Sequence, residues 1–232
     1  MRVLGRRVLL ASAFVAALGA AGSAAVTARA SVAPPPDGVR RYVVTRPGSG
    51  PGTGDIGTHE VRFRRTDKGV VVEHKVRVVV KVVFVTAYRY ESDRTETWED
   101  DKLVAFRAHT NDNGDTKDVT AARVDDGLQV RGGAGSLKAA PETGVVGPAW
   151  NVLGNARPHQ LIDADSGKLL NVAVSGLEGS DVVTTKGGRQ IICQRVRVSG
   201  QYESTMWFGP DGTLVMEKMK ARDGSLIETT LQ

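Results

Sequence analysis

Four histidines, one cysteine and a scatter of short acidic turns are the residues of this 232-residue chain with the chemistry to form a site. His59 and His74 flank the tetrapeptide Thr66-Asp67-Lys68-Gly69. If that tetrapeptide is a hairpin turn, the two imidazoles become diagonal neighbours on one sheet face. Two imidazoles begin a metal site, but a third ligand at useful spacing is missing. A satisfied or pocket-lining pair is therefore the expected reading, and no metal or other cofactor is implied. The remaining histidines, His109 and His159, add no ligand set. Residues 111–118, NDNGDTKD, look at first like a calcium loop. Aligning Gly114 with the fixed glycine of the helical calcium motif puts His109 at its first position and Thr120 at its last, where carboxylates belong. Asn113-Gly114 reads instead as a two-residue hairpin turn.

Other catalytic patterns fail as well. Cys193 lies in the strand-like run RQIICQRVRV and is expected to be a buried, inert thiol. The glycines of GSGPGTG and GGAG do not stand between a strand and a helix, so neither is a phosphate cradle. There is no Gly-x-Ser-x-Gly elbow. Asp93, Glu96 and Glu99 read as acids on a solvated strand face rather than an acid/base pair. No catalytic residue is assigned, and the chain is not expected to be an enzyme.

The elements around these residues are strands. Period-two alternation is nearly everywhere, broken by Asp125-Asp126-Gly127, Asp165-Ser166-Gly167, Pro210-Asp211-Gly212 and Arg222-Asp223-Gly224. Strands are expected over 169–174, 191–198, 202–208, 213–219 and 226–231. The fold class is all-β: a large curved antiparallel meander, a half-barrel or open barrel, with an irregular or short-helix cover segment. The cover is expected in residues 132–159, rich in Gly, Ala and Pro and without alternation. Trp150, in a short turn of helix over 148–153, would plug the sheet.

The first thirty residues read as a cleaved export signal: Arg2, Arg6 and Arg7, an apolar run from Val8, then Ala28-Arg29-Ala30. A periplasmic or secreted location follows, with no transmembrane segment in the mature chain. Residues 31–37 are expected to be a disordered Pro-rich terminus, and 38–232 a single β domain. The whole chain carries a net +5. The leader holds four arginines and no acid, which leaves the remainder near +1. Such a balance gathers no phosphate backbone, so no nucleic-acid partner is expected. Aromatics at 5% of residues are too few for a base-stacking platform.

The hairpin about Thr66-Asp67-Lys68-Gly69 can be registered from its charges. Glu60 then faces Lys75 and Arg62 faces Glu73, while Val61 meets His74, Phe63 meets Val72 and His59 meets Val76. Two independent patterns agree, and a one-residue slip would invert every face. The apolar face continues through Val78, Val80, Val82 and Phe84. A strand from residue 70 to 90 would be about 70 Å long, so it must curl, bend or bulge near Val83. An apolar face of this length forms a trough, and something must fill it. Val61, Phe63, Val72, Val76, Val78, Val80, Val82, Phe84 and Trp150 are the expected ligand-binding residues.

One run, AYRYESDRTETWEDDKLVAFRAHTNDNG at 87–114, joins Ile56-Gly57-Thr58-His59, Trp150-Asn151 and Leu161-Ile162-Asp163 in a resemblance. Together they resemble an uncharacterised exported bacterial family, the domain of unknown function of the 6134 type. The resemblance covers most of the chain beyond the leader and implies no activity or catalytic residue. Its strand pattern is similar in kind to exported lipid-carrier half-barrels, in which a curved sheet wraps an apolar cavity under a lid. The chain has little helix from which to make that lid. Two functions therefore remain open. One is a lipid-like or other hydrophobic ligand held in the trough. The other is a closed core in a structural or protein-interaction module with an envelope protein partner.

Overall fold

A computed structural model of the chain describes residues 35–147 and 158–232. They form sixteen strands: β1 (Gly38–Arg46), β2 (Gly54–Thr66), β3 (Gly69–Val82), β4 (Val85–Glu99), β5 (Lys102–Asp112), β6 (Asp115–Val124), β7 (Gly127–Gly132), β8 (Gly135–Ala139), β9 (Gly144–Val145), β10 (Gln160–Ile162), β11 (Leu169–Val174), β12 (Glu178–Thr184), β13 (Gln190–Gly200), β14 (Ser204–Phe208), β15 (Leu214–Lys220) and β16 (Leu226–Leu231). Neighbours run from β8 back to β1, then from β16 back to β13, and on through β11 and β10 to β9. All these pairs are antiparallel except β9 with β10. β12 pairs only with β13, off the main path.

The hairpin register follows the charges. Glu60 pairs with Lys75, Arg62 with Glu73, Phe63 with Val72 and His59 with Val76. The turns follow local chemistry. Asn113 (φ 56°) and Gly114 (φ 99°) form the tight β5–β6 turn, where Gly114 N–H donates to Asn111 Oδ1 at 2.8 Å. Paired positive φ values are the type I′ pattern, whose twist matches that of the strands.

The alternation buries one face of each strand. In β2 the buried residues Ile56, His59, Val61 and Phe63 point inward. A single core joins Val61, Phe63 and Val72 to Leu103, Phe106, Leu128 and Val130 from one half of the sheet. Val145, Leu161, Ile162, Met206 and Phe208 reach the same core from the other half. The sheet therefore curls until its two ends share one interior. No ladder joins β8 to β9, so the barrel stays open. A backbone bond ties the turns next to these ends: Ala134 N–H donates to Ser166 O at 2.9 Å.

A polar clamp ties three turns at one rim. Arg222, in the β15–β16 turn, donates to Asp112 Oδ2 and Asp165 Oδ2, each at 3.0 Å. Tyr88 donates to Asp112 at 2.7 Å and Tyr90 to Asp165 at 2.8 Å. Turn, strand and loop from distant parts of the sequence are thereby held across the open rim.

Two sequence expectations change. The break expected near Val83 is there, but it is a full reversal: β3 stops at Val82 and β4 begins at Val85. Of the expected cover, residues 132–147 instead extend the sheet as the end of β7, β8 and β9. Trp150 and its expected helical turn lie outside the described residues, as does the expected leader. At the N-terminus, Asp37 accepts from Arg65 N–H at 2.9 Å and so docks on β2.

Candidate ligand-binding site

The strands bring the eight described lining residues to different places. Val61, Phe63 and Val72 are 2%, 5% and 0% exposed, packed on one another and on the opposite half of the sheet. Val76 is half-buried, and Val78 and Val80 belong to a small second cluster with Val44 and Ile56. Val82 (41% exposed) and Phe84 (95% exposed) leave the interior altogether. The register shifts between Val80 and Lys81, and the chain reverses at Val83-Phe84, so the apolar phase is carried out into solvent. Trp150 lies outside the described residues. Val61, Phe63 and Val72 are thus packed in the shared core.

Further along the same interior lies a polar array. Its members come from β2, β3 and β4, from β14 and β15, and from Tyr202 just before β14. His59 Nε2 and His74 Nδ1 stand 3.1 Å apart. His74 Nε2 lies 3.3 Å from Glu96 Oε1, within ion-pair reach but off hydrogen-bond alignment. Glu96 Oε2 accepts from Trp98 Nε1 at 2.8 Å. Burial, reinforced by His74 and Arg94, holds the His59 pKa well below the usual imidazole range. Arg94 donates to Ser92 Oγ, Val146 O and Tyr90 Oη at 3.0, 3.1 and 3.0 Å. Burial opposes its charge, and Tyr90 and Asp165 outweigh that and raise its pKa. Glu217 accepts from Tyr202 Oη at 2.9 Å and Ser204 Oγ at 2.7 Å, and burial raises its pKa.

This array is mostly satisfied within the fold. Buried polar groups need partners, and these have them. Among the described residues, no group of three or more His, Cys, Asp or Glu side chains is arranged to hold a metal ion. Cys193 is fully buried and its thiol is pushed up to about 11, by burial and then by Asp181. A thiol so raised is protonated at neutral pH and unreactive. Glu96 is a correction: it is 6% exposed and inward, not on a solvated face.

Open space lies at the strand ends remote from the clamp, in a groove of about 890 Å³. Its charged wall is Arg40, Arg41, Arg189 and Asp211, and its apolar floor includes Val39, Ile191, Ile192 and Pro210. Arg40 sits with its guanidinium carbon 6.0 Å from the centre of the Phe63 ring, capping the core. Arg41 pairs with Glu60 at 3.2 Å, whereas Arg40 and Arg189 make no ion pair among the described residues. Asp211 is occupied by its own turn, accepting from Thr213 N–H at 3.0 Å and Thr213 Oγ1 at 2.9 Å. Ile192 is 66% exposed. Two guanidinium groups without a carboxylate partner among the described residues, Arg40 also donating to Pro36 O at 3.0 Å, stand beside exposed aliphatic surface and suit an anion that carries a hydrocarbon part. Sequence reasoning missed this groove, because its walls come from β1, from the turn before β13 and from the β14–β15 turn, which only the pairing of β1 with β16 and the curl of the sheet assemble.

Comparison with known proteins places the fold. None of the curated proteins matches the chain. A solved structure, a β-barrel-like protein of domain of unknown function DUF1849 from Brucella abortus, is similar in fold with a TM-score of 0.54 and 12% identity. The match covers 84% of this chain and 94% of that one. Residues 52–232, from the β1–β2 loop to the final residue, match the family described as Domain of unknown function (DUF6134), and the chain belongs to that family.

Proposed function

We propose that the protein is an exported, non-catalytic binding protein that takes an anionic amphiphile in the arginine-walled groove. The observation that carries this reading is the groove itself: about 890 Å³, with Arg40 and Arg189 free of ion pairs among the described residues and beside Ile191 and Ile192. The volume falls in the range of small-molecule sites, roughly 300–1,000 Å³. The ligand's carboxylate or phosphate would meet the two guanidinium groups, and its chain would lie on the isoleucines. Each bidentate contact supplies orientation, and the apolar contact supplies most of the affinity. A lipid-like ligand remains the expected class. Its place shifts from the centre of the sheet to the end of the strands, because Val61, Phe63 and Val72 pack on one another.

The test is native mass spectrometry of the protein purified from an expressing cell, before and after organic extraction. A stoichiometric adduct, removed by extraction and absent from the double variant Arg40→Ala/Arg189→Ala, supports the proposal. An adduct that persists in that variant places the ligand elsewhere. A clean mass with unchanged thermal stability after extraction removes the reading.

A second reading rests on the exposed apolar turn at residues 82–85. A closed core with an apolar projection suits an interaction module of the cell envelope, and that projection carries an inference of its own.

A further inference from the structure

The β3–β4 hairpin outreaches both of its neighbours. The last rung of β3 with β2 is Val78 with Gly57, and the rung of β4 nearest the tip with β5 is Tyr90 with Asp112. Val80 is still buried against Val44 and Ile56, and Arg89 O still accepts from Asn113 N–H at 2.7 Å, so it is residues 81–87, all exposed, that project as a two-stranded ribbon. Its tip is apolar and wet: Val82, Val83, Phe84 and Val85 are 41%, 74%, 95% and 69% exposed. These four are consecutive. Paired residues share a face, so Val82 and Val85 make one face apolar, Val83 and Phe84 make the apex apolar, and Lys81 with Thr86 lies on the other face. An exposed apolar apex with cations on the face behind it has the layout of a segment that lies at a membrane interface, hydrocarbon-side residues leading and basic residues following.

Charge selects the kind of layer. No acid lies between Arg77 and Tyr90, and two cations, Lys81 and Arg89, stand behind the tip. Arg89 is engaged by Glu91 at 2.8 Å, while Lys81 makes no ion pair among the described residues. A lysine stem reaches along apolar surface and leaves its ammonium at headgroup level. The backbone adds an independent sign. Val83 has φ 58°, a left-handed conformation that a β-branched residue adopts only under strain. The turn presents a valine where glycine would sit freely.

We propose that the tip of the β3–β4 hairpin docks the protein on an anionic lipid surface, with Phe84 and its neighbouring valines in the hydrocarbon boundary and Lys81 among the headgroups. This does not rest on the groove, which lies at the opposite strand ends. The full chain would be sedimented with vesicles of phosphatidylcholine, with and without phosphatidylglycerol. The wild type is expected to sediment with both and more strongly with the anionic vesicles. Phe84→Ser/Val85→Ser should lower the partition coefficient at least about tenfold on either composition. Lys81→Glu should lower it only on the anionic vesicles. These residues are exposed, so an unchanged melting temperature would show that the variants still fold. Failure of the wild type to sediment overturns the proposal, as does full binding by the serine double variant. Concentration-dependent self-association that the serine variant abolishes, without vesicle binding, makes the tip a protein contact and overturns it equally.

Discussion

His59 Nε2 and His74 Nδ1 stand 3.1 Å apart because the β2–β3 register sets Val61 against His74 and His59 against Val76. The pair lies on the diagonal of one inward face. Its position makes folding sensitive to mild acid. Burial first, then His74 and Arg94, depress the His59 pKa below its ordinary 6.5. The unfolded chain therefore takes up a proton near 6.5, and the folded chain resists doing so. Stability from this group is complete above pH 6.5 and is lost as pH falls from there toward the depressed value. Thermal melts between pH 8 and about 5 should show a decline beginning near 6.5. His59→Asn cannot take the proton. It should melt lower overall but with a flatter slope across that window. An unchanged slope would assign the loss to another group.

Glu217 has the opposite sign. Burial raises its pKa above 4.5, although Tyr202, Ser204 and Arg94 act to lower it. A raised carboxyl contributes stability below the unfolded value that is lost as pH rises through the folded one. Glu217→Gln keeps an oxygen to accept from Tyr202 and Ser204 and removes the ionisation. The variant should melt at or above the wild type near neutral pH, with the advantage vanishing near pH 4. A variant less stable at every pH would mean that the charge of Glu217 is itself required by Arg94.

Val83 carries strain that glycine would relieve. Of the two loop residues, Val83 alone has positive φ, the pattern of a turn whose first central position favours glycine. Val83→Gly trades that strain, roughly 1–3 kcal/mol, against a glycine entropy cost of roughly 0.5–1 kcal/mol. Net stabilisation of about 1 kcal/mol is expected, a rise of about 2–4 °C in melting temperature. A fall would mean that Val83 is held by packing rather than merely tolerated.

The alternation and charges of residues 59–76 made one hairpin legible down to its register, because both faces carried independent signals. The turn at Val83-Phe84 carried none: it contains no Gly, Asn, Asp or Pro, and strand-forming residues continue through it. Strand length alone called for a break near Val83, where the chain does reverse, but the pattern gave no sign of a full turn and so placed Val82 and Phe84 in a trough they do not enter. Glu96 was misread for the converse reason. It shares parity with the buried Trp98, but alternation alone does not separate an inward polar residue from an outward one. The groove was beyond reach, since Arg40 and Arg189 are brought together only when β1 pairs with β16 and the sheet curls.

Val72 and Val82 separate a closed core from an open trough. Both are valines on the same strand and were expected to line the same surface. Val72 is fully buried among Phe63, Leu103 and their neighbours, whereas Val82 is 41% exposed. If the core is closed, Val72→Ala leaves a cavity and should cost about 2 kcal/mol, lowering the melting temperature by roughly 4–8 °C. Val82→Ala removes a wet side chain and should stay within about 0.5 kcal/mol of wild type. Denaturant melts of the two variants make the comparison. Equal, small effects would mean that the face around Val72 opens to a ligand, and extraction would then be expected to destabilise the wild type as much as Val72→Ala does.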